Sequence, residues 1–144
     1  MNFDGWVTVD FPQGTGVVYV FYAVEGGRQF PFYVGETGSL VCRMADHFRA
    51  SFTCPTDFNV GNAVKYLRDQ KGYEVKVKFG RSFDQKPERL KDEDKIKQEL
   101  ISKKWLLLNG ELGYDLKTQT QDAQLQLVKN LCDKIIRNSE TISE

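Results

Sequence analysis

Apolar and polar positions change their spacing several times along this chain, and each change marks an element. From Gly16 the run Val17, Val18, Tyr19, Val20, Phe21, Tyr22, Ala23, Val24 is dense in β-branched and aromatic residues, which suit a pleated, half-buried surface. Glu25-Gly26-Gly27-Arg28 interrupts that run and Gln29 to Gly35 resumes it. Residues 16–35 therefore predict two strands joined at a Gly-Gly turn. Pro31 has no N–H to give to a ladder, so the second strand belongs at a sheet edge or starts after Pro31.

Beyond the hairpin the spacing lengthens. Thr37 or Ser39 is placed to cap a helix from about Leu40 to Ala50, with Leu40, Met44 and Phe48 as its apolar stripe. Cys54 to Asp57 reads as a loop. Asn59 to Gln70 predicts a second helix that buries Val60, Ala63, Val64 and Leu67 and stops at Lys71-Gly72. Tyr73 to Phe79 alternates apolar with charged residues, the pattern of a strand with one wet face carrying Lys76 and Lys78. Gly80 to Lys86 reads as a loop, and Pro87 suits a first helical position for a charged helix that runs to about Lys104. After Trp105 to Gly110, a final amphipathic helix from Gln119 to Arg137 gathers Leu125, Val128, Leu131, Cys132 and Ile135 on one side. The order β-β-α-α-β-α-α predicts an α+β domain, a small three-stranded antiparallel sheet flanked by helices and ending in a C-terminal helix.

Composition narrows the picture. A chain of 144 residues fits one domain with one sizeable core. Lys and Arg number 20 and Asp and Glu number 20, so the net charge is zero and no global basic footprint for nucleic acid exists. Any phosphate binding has to be local. Cys42, Cys54 and Cys132 are widely spaced with no CxxC pair, which fits neither a disulfide framework nor a zinc cluster and points to a reduced, cytoplasmic setting. No apolar run approaches the roughly 20 residues of a membrane span, and the first residues lack a charged region followed by an apolar one, so no membrane association or targeting is expected.

Candidate chemistry concentrates in residues 32–48. A tyrosine strand ends at Gly35, and the following helix carries Arg43 and His47, which share a face as i and i+4. A fixed cation, a proton carrier, and the tyrosines Tyr19 and Tyr33 then come within reach of one phosphate. Val18-Tyr19, followed by Tyr33-Val34-Gly35-x-Thr37, by Arg43 and His47, and later by Leu108-Asn109, resembles the GIY-YIG nuclease family over about residues 16–115, with about 116–144 as a C-terminal helical extension. The resemblance implies a small α/β domain that cuts a phosphodiester bond with one divalent metal. It makes Tyr19 and Tyr33 the motif tyrosines, Tyr19 the acceptor of a proton from the attacking water, Arg43 the holder of the scissile phosphate, His47 an assistant in proton transfer, and Asn109 a brace for the site. A phenol with an ordinary pKa near about 10 is a poor base and needs a neighbouring cation or metal to serve.

Two positions depart from the family pattern. Val17 stands where the first motif glycine would be. Aligned on Leu100-Ile101, the family's metal-binding glutamate falls on Lys97, and an ammonium cannot hold a divalent cation. At about 100° per residue, Leu90, Glu93, Ile96, Lys97, Leu100 and Ile101 share a helix face while Glu99 points away. Glu93 is thus a carboxylate in a largely apolar stripe and the favoured ligand for Mg²⁺ or Mn²⁺, with Glu99 the weaker alternative. Glu93 and Lys97 also read as an i, i+4 ion pair worth roughly a few tenths of a kcal/mol.

These readings lead to a metal-dependent endonuclease acting on nucleic acid, most simply DNA. The alternative is a catalytically silent module of the same fold that binds nucleic acid or a protein partner, with a homodimer through the last helix left open.

Overall fold

A computed structural model describes residues 2, 4, 5, 16–82 and 84–142. Its centre is a three-stranded antiparallel sheet in the order β2-β1-β3, made by β1 (Val17–Glu25), β2 (Arg28–Thr37) and β3 (Glu74–Ser82). Helices α1 (Leu40–Arg49), α2 (Pro55–Lys65), α3 (Lys86–Ser102) and α4 (Gln121–Thr141) complete the α+β fold. Pro31 lies inside β2, and β2 is an edge strand, where a missing N–H is tolerated. No helix among the described residues is long and apolar enough to cross a membrane.

Register decides which β2 side chains face which layer. Tyr19 pairs with Gly35 and Phe21 with Tyr33, but Tyr22 pairs with Pro31, so Phe32 is the extra residue of a bulge. Side chains two apart on a regular strand share a face. The bulge breaks that rule here, because Val34 joins the cluster of Val18 and Leu107 on the α3 side while Phe30 and Phe32 join the main core with Tyr19 and Phe21. Bulges of this kind re-aim side chains beside functional sites.

The main core packs Tyr19, Phe21, Ala23, Phe30 and Phe32 from the sheet against Val60, Ala63, Val64 and Leu67, and against Val128, Leu131, Cys132 and Ile135 of α4. Of the α4 face expected from periodicity, Val128, Leu131, Cys132 and Ile135 are buried, whereas Leu125 is only half-buried and the polar Gln124 beside it is enclosed. Helix α4 begins where the Thr120 hydroxyl accepts from the Ala123 N–H at 3.2 Å, a side-chain cap.

Several sequence expectations are corrected. Of the stretch read as a loop at residues 54–57, Cys54 is the extended N-cap and 55–57 already belong to α2, since Pro55 takes the first-turn position that suits proline. The helix expected over Asn59–Gln70 changes at Tyr66 into a π-helical turn, Tyr66–Gln70. The loop expected from Gly80 begins later, because β3 continues to Ser82. Helix α1 does not bury Phe48, which is 52% exposed; it buries His47, at 0%. On α3, Leu90 and Ile101 are exposed, and the fully enclosed residue of that helix is Arg89.

Candidate functional site

Tyr19 sits on the central strand, wholly buried. Its phenol lies over the backbone of Gly35, where any Cβ would overlap the ring. The glycine after Tyr33-Val34 therefore makes room for the tyrosine on the neighbouring strand. Tyr33, two residues earlier and on the same face, brings its ring centroid to 6.3 Å from that of Tyr19 and 5.7 Å from that of His47.

Helix α1 delivers His47 beneath these rings. The Tyr19 hydroxyl and His47 Nε2 form a buried hydrogen bond of 2.7 Å. On the other side of the imidazole, Nδ1 lies 3.1 Å from Oδ1 of Asp57, and the same oxygen lies 3.0 Å from a terminal nitrogen of Arg43. The His47–Asp57 approach has the distance of a contact without the alignment of a hydrogen bond, so it couples the two groups through charge. A side chain at Gly61 would strike the His47 carbonyl and Ala50. The bare glycine lets α2 seat against α1, and Asp57, one turn earlier on the same face, then reaches His47.

Burial sets the protonation states. It raises Tyr19 well above the usual phenol range, and the neighbouring Tyr33 adds to the effect while Arg43 opposes it. Tyr33 is raised for the same first reason, again against the pull of Arg43. His47 is pushed down to about 4 by burial and by the Arg43 charge. Asp57 is raised by burial against the opposing charge of Arg43. At neutral pH the set therefore consists of two neutral phenols, a neutral imidazole and a guanidinium whose side chain keeps 28% of its surface exposed. The burial and Arg43 charge that keep His47 uncharged also make it a weak base, so this imidazole takes the Tyr19 proton only as the phenol oxygen gains another.

Glu93 reaches this group through its charge, which raises both Tyr19 and Tyr33. Its helix is anchored one turn earlier by Arg89, whose Nε donates to Glu36 of β2 at 2.9 Å with both side chains largely enclosed. Burial raises the Glu93 carboxyl, Lys97 counteracts this, and the Lys97 ammonium stands 4.0 Å away. Glu99 is exposed, as its helical position predicts. Among the described residues no group of three or more His, Cys, Asp and Glu side chains is placed to cage a metal ion. Mg²⁺ keeps most of its waters and takes one or two carboxylates plus substrate phosphate oxygens, so one carboxylate such as Glu93 would suffice once released from Lys97.

Asn109 serves from outside this group. Its Oδ1 accepts from the Val34 N–H at 3.0 Å and its Nδ2 donates to the Val34 carbonyl at 2.6 Å, which pins β2 beside Tyr33. A hollow of about 210 Å³ opens between Tyr33, Asn109 and the start of α2.

The fold thus gathers Tyr19, Tyr33, Arg43 and His47, brings the charge of Glu93 to bear on them, and uses Asn109 as a brace. Asp57 and Gly61 were missed by sequence reasoning. A helix-interior glycine one turn after an aspartate was the available signal, because such a glycine lowers helix propensity unless close packing requires it. Compared with protein-family models, with curated proteins and with solved structures, the chain matches none.

Proposed function

We propose that this chain is a GIY-YIG-type phosphodiesterase that hydrolyses nucleic acid, most simply DNA, with a divalent metal. One observation carries the reading: a buried Tyr19 hydroxyl bonded at 2.7 Å to a neutral His47, beside a partly exposed Arg43.

Burial holds Tyr19 as a phenol, so it does not act as a free phenolate. It works as a shuttle: its oxygen takes a proton from the attacking water while its own proton passes to His47 Nε2. The water oxygen forms a bond to phosphorus, the bond from phosphorus to the leaving sugar oxygen breaks, and that oxygen takes a proton from solvent. Arg43 supplies a guanidinium for the phosphoryl oxygens, whose charge grows as the reaction proceeds. Glu93 is the residue that would hold the metal, which when bound stabilises charge on the phosphoryl and leaving oxygens.

The experiment is incubation of the purified protein with supercoiled plasmid and Mg²⁺, followed by gel analysis. Cleavage is expected, falling by roughly 10²-fold or more in Tyr19→Phe and Arg43→Ala. Cleavage that survives both substitutions overturns the mechanism. The contact of Lys97 with Glu93 favours a second reading, a silent module of the same fold. DNA binding with no cleavage, and no Mn²⁺ binding that depends on Glu93, is the result that selects it.

A further inference from the structure

The Tyr19–His47 hydrogen bond has a direction that the two heavy atoms alone leave open. A phenol hydroxyl rotates and both donates and accepts, and a neutral imidazole carries its single proton on one nitrogen or the other. With the proton on Nε2, His47 donates to Tyr19 and cannot receive its proton. With the proton on Nδ1, Nε2 is bare and Tyr19 donates.

The environment of Nδ1 decides between them. That nitrogen is shut off from solvent, makes no aligned hydrogen bond, and lies 3.1 Å from Oδ1 of Asp57. A nitrogen lone pair at that distance from a carboxylate oxygen is repelled, whereas an N–H is attracted. Arg43, 3.0 Å from the same oxygen, favours the ionised carboxylate. The placement of Asp57 is built in, since a Cβ on Gly61 would collide with the His47 carbonyl and prevent α2 from sitting this close.

We propose that Asp57 is a positioning residue that holds His47 as the Nδ1–H tautomer, leaving Nε2 bare to accept the Tyr19 proton. Its catalytic consequence rests on the phosphodiesterase reading; the tautomer itself does not. The arrangement shares the logic of any acceptor oriented by a third group, in which a carboxylate behind an imidazole sets the nitrogen that does the work.

His47 is the only histidine of the chain, so its ring nitrogens are read without assignment ambiguity by long-range ¹H–¹⁵N correlation spectra of labelled protein near pH 7. The expected spectrum for the native protein is that of an Nδ1–H imidazole. In Asp57→Ala, and in Asp57→Leu as a second variant that fills the space, the signature is expected to move toward Nε2–H. A native Nε2–H form overturns the proposal, as does a variant that folds and keeps Nδ1–H. Cleavage by the same proteins then tests the consequence: kcat is expected to fall by roughly 10²-fold or more with KM little changed. A tautomer that changes with kcat intact overturns the role in the proton path. If the native protein cleaves no plasmid, the functional reading fails while the spectra still decide the tautomer.

Discussion

Acidification is the perturbation that isolates His47. In the folded protein this imidazole is pushed down to about 4, whereas in the unfolded chain it titrates near about 6.5. Between those values the unfolded chain holds a proton that the folded one does not, so stability rises with pH there and is lost as pH falls from about 6.5 toward 4. At about 1.36 kcal/mol per unit, the interval of about 2.5 units sets a ceiling of about 3 kcal/mol, with about 2 kcal/mol of it lost by pH 5. The groups that set this response surround the ring from four elements: Tyr19 on β1, Tyr33 on β2, Arg43 on α1 and Asp57 on α2. The assay is urea unfolding at pH 7, 6, 5 and 4.5 for the native protein and for His47→Gln. Exposed carboxylates titrate in both, so the difference between the two curves reports His47. The native protein is expected to lose about 2 kcal/mol more than the variant between pH 7 and pH 5. Parallel curves, or a histidine resonance that titrates near 6.5, refute the reasoning.

Asn109→Ala removes both bonds to Val34 and is expected to lower stability by about 1–3 kcal/mol, read as a lower Tm in thermal melts. Gly61→Ala forces α2 away from the His47 carbonyl; urea titration should show a loss of about 1–3 kcal/mol, and native-like stability would contradict the close packing. Arg89→Met leaves the Glu36 carboxylate enclosed without its ion-pair partner, an expected loss of about 3–5 kcal/mol, and adding Glu36→Leu should recover much of it because an apolar pair often replaces a buried ion pair without penalty.

The sheet was legible because its signals are local. Gly26-Gly27 between a run rich in β-branched and aromatic residues and a second, mainly aromatic one, and the Lys/Glu alternation of β3, each specify an element without reference to the rest of the chain. The burial of His47 was not legible in the same way. On hydropathy alone, Phe48 outranks its neighbour, and the stripe Leu40, Met44, Phe48 looks complete. What turns α1 by one residue is a partner 28 positions away, the Tyr19 hydroxyl, together with the close seat of α2 at Gly61. Arg89 follows the same rule: it is enclosed because Glu36 meets it across the α3–β2 contact, which periodicity along α3 does not contain. Asp57 was hidden by the reading of Cys54 to Asp57 as a loop, although Pro55 at the first turn marked a helix start. Polar groups that bury themselves on distant partners are the part that the pattern of apolar positions misses.

The brace at Asn109 also closes the sheet. An edge strand normally offers a row of free N–H and C=O groups to any passing chain. Here Pro31 has no N–H to offer, the Leu108 N–H occupies the Phe32 carbonyl at 2.7 Å, and the Asn109 amide occupies both groups of Val34. The opposite edge, β3, carries Glu74, Lys76 and Lys78 on exposed positions. The residue that steadies the tyrosine strand thus also guards a central hydrophobic hairpin against recruitment into intermolecular β-structure, and its loss should be felt as aggregation as well as a lower melting temperature.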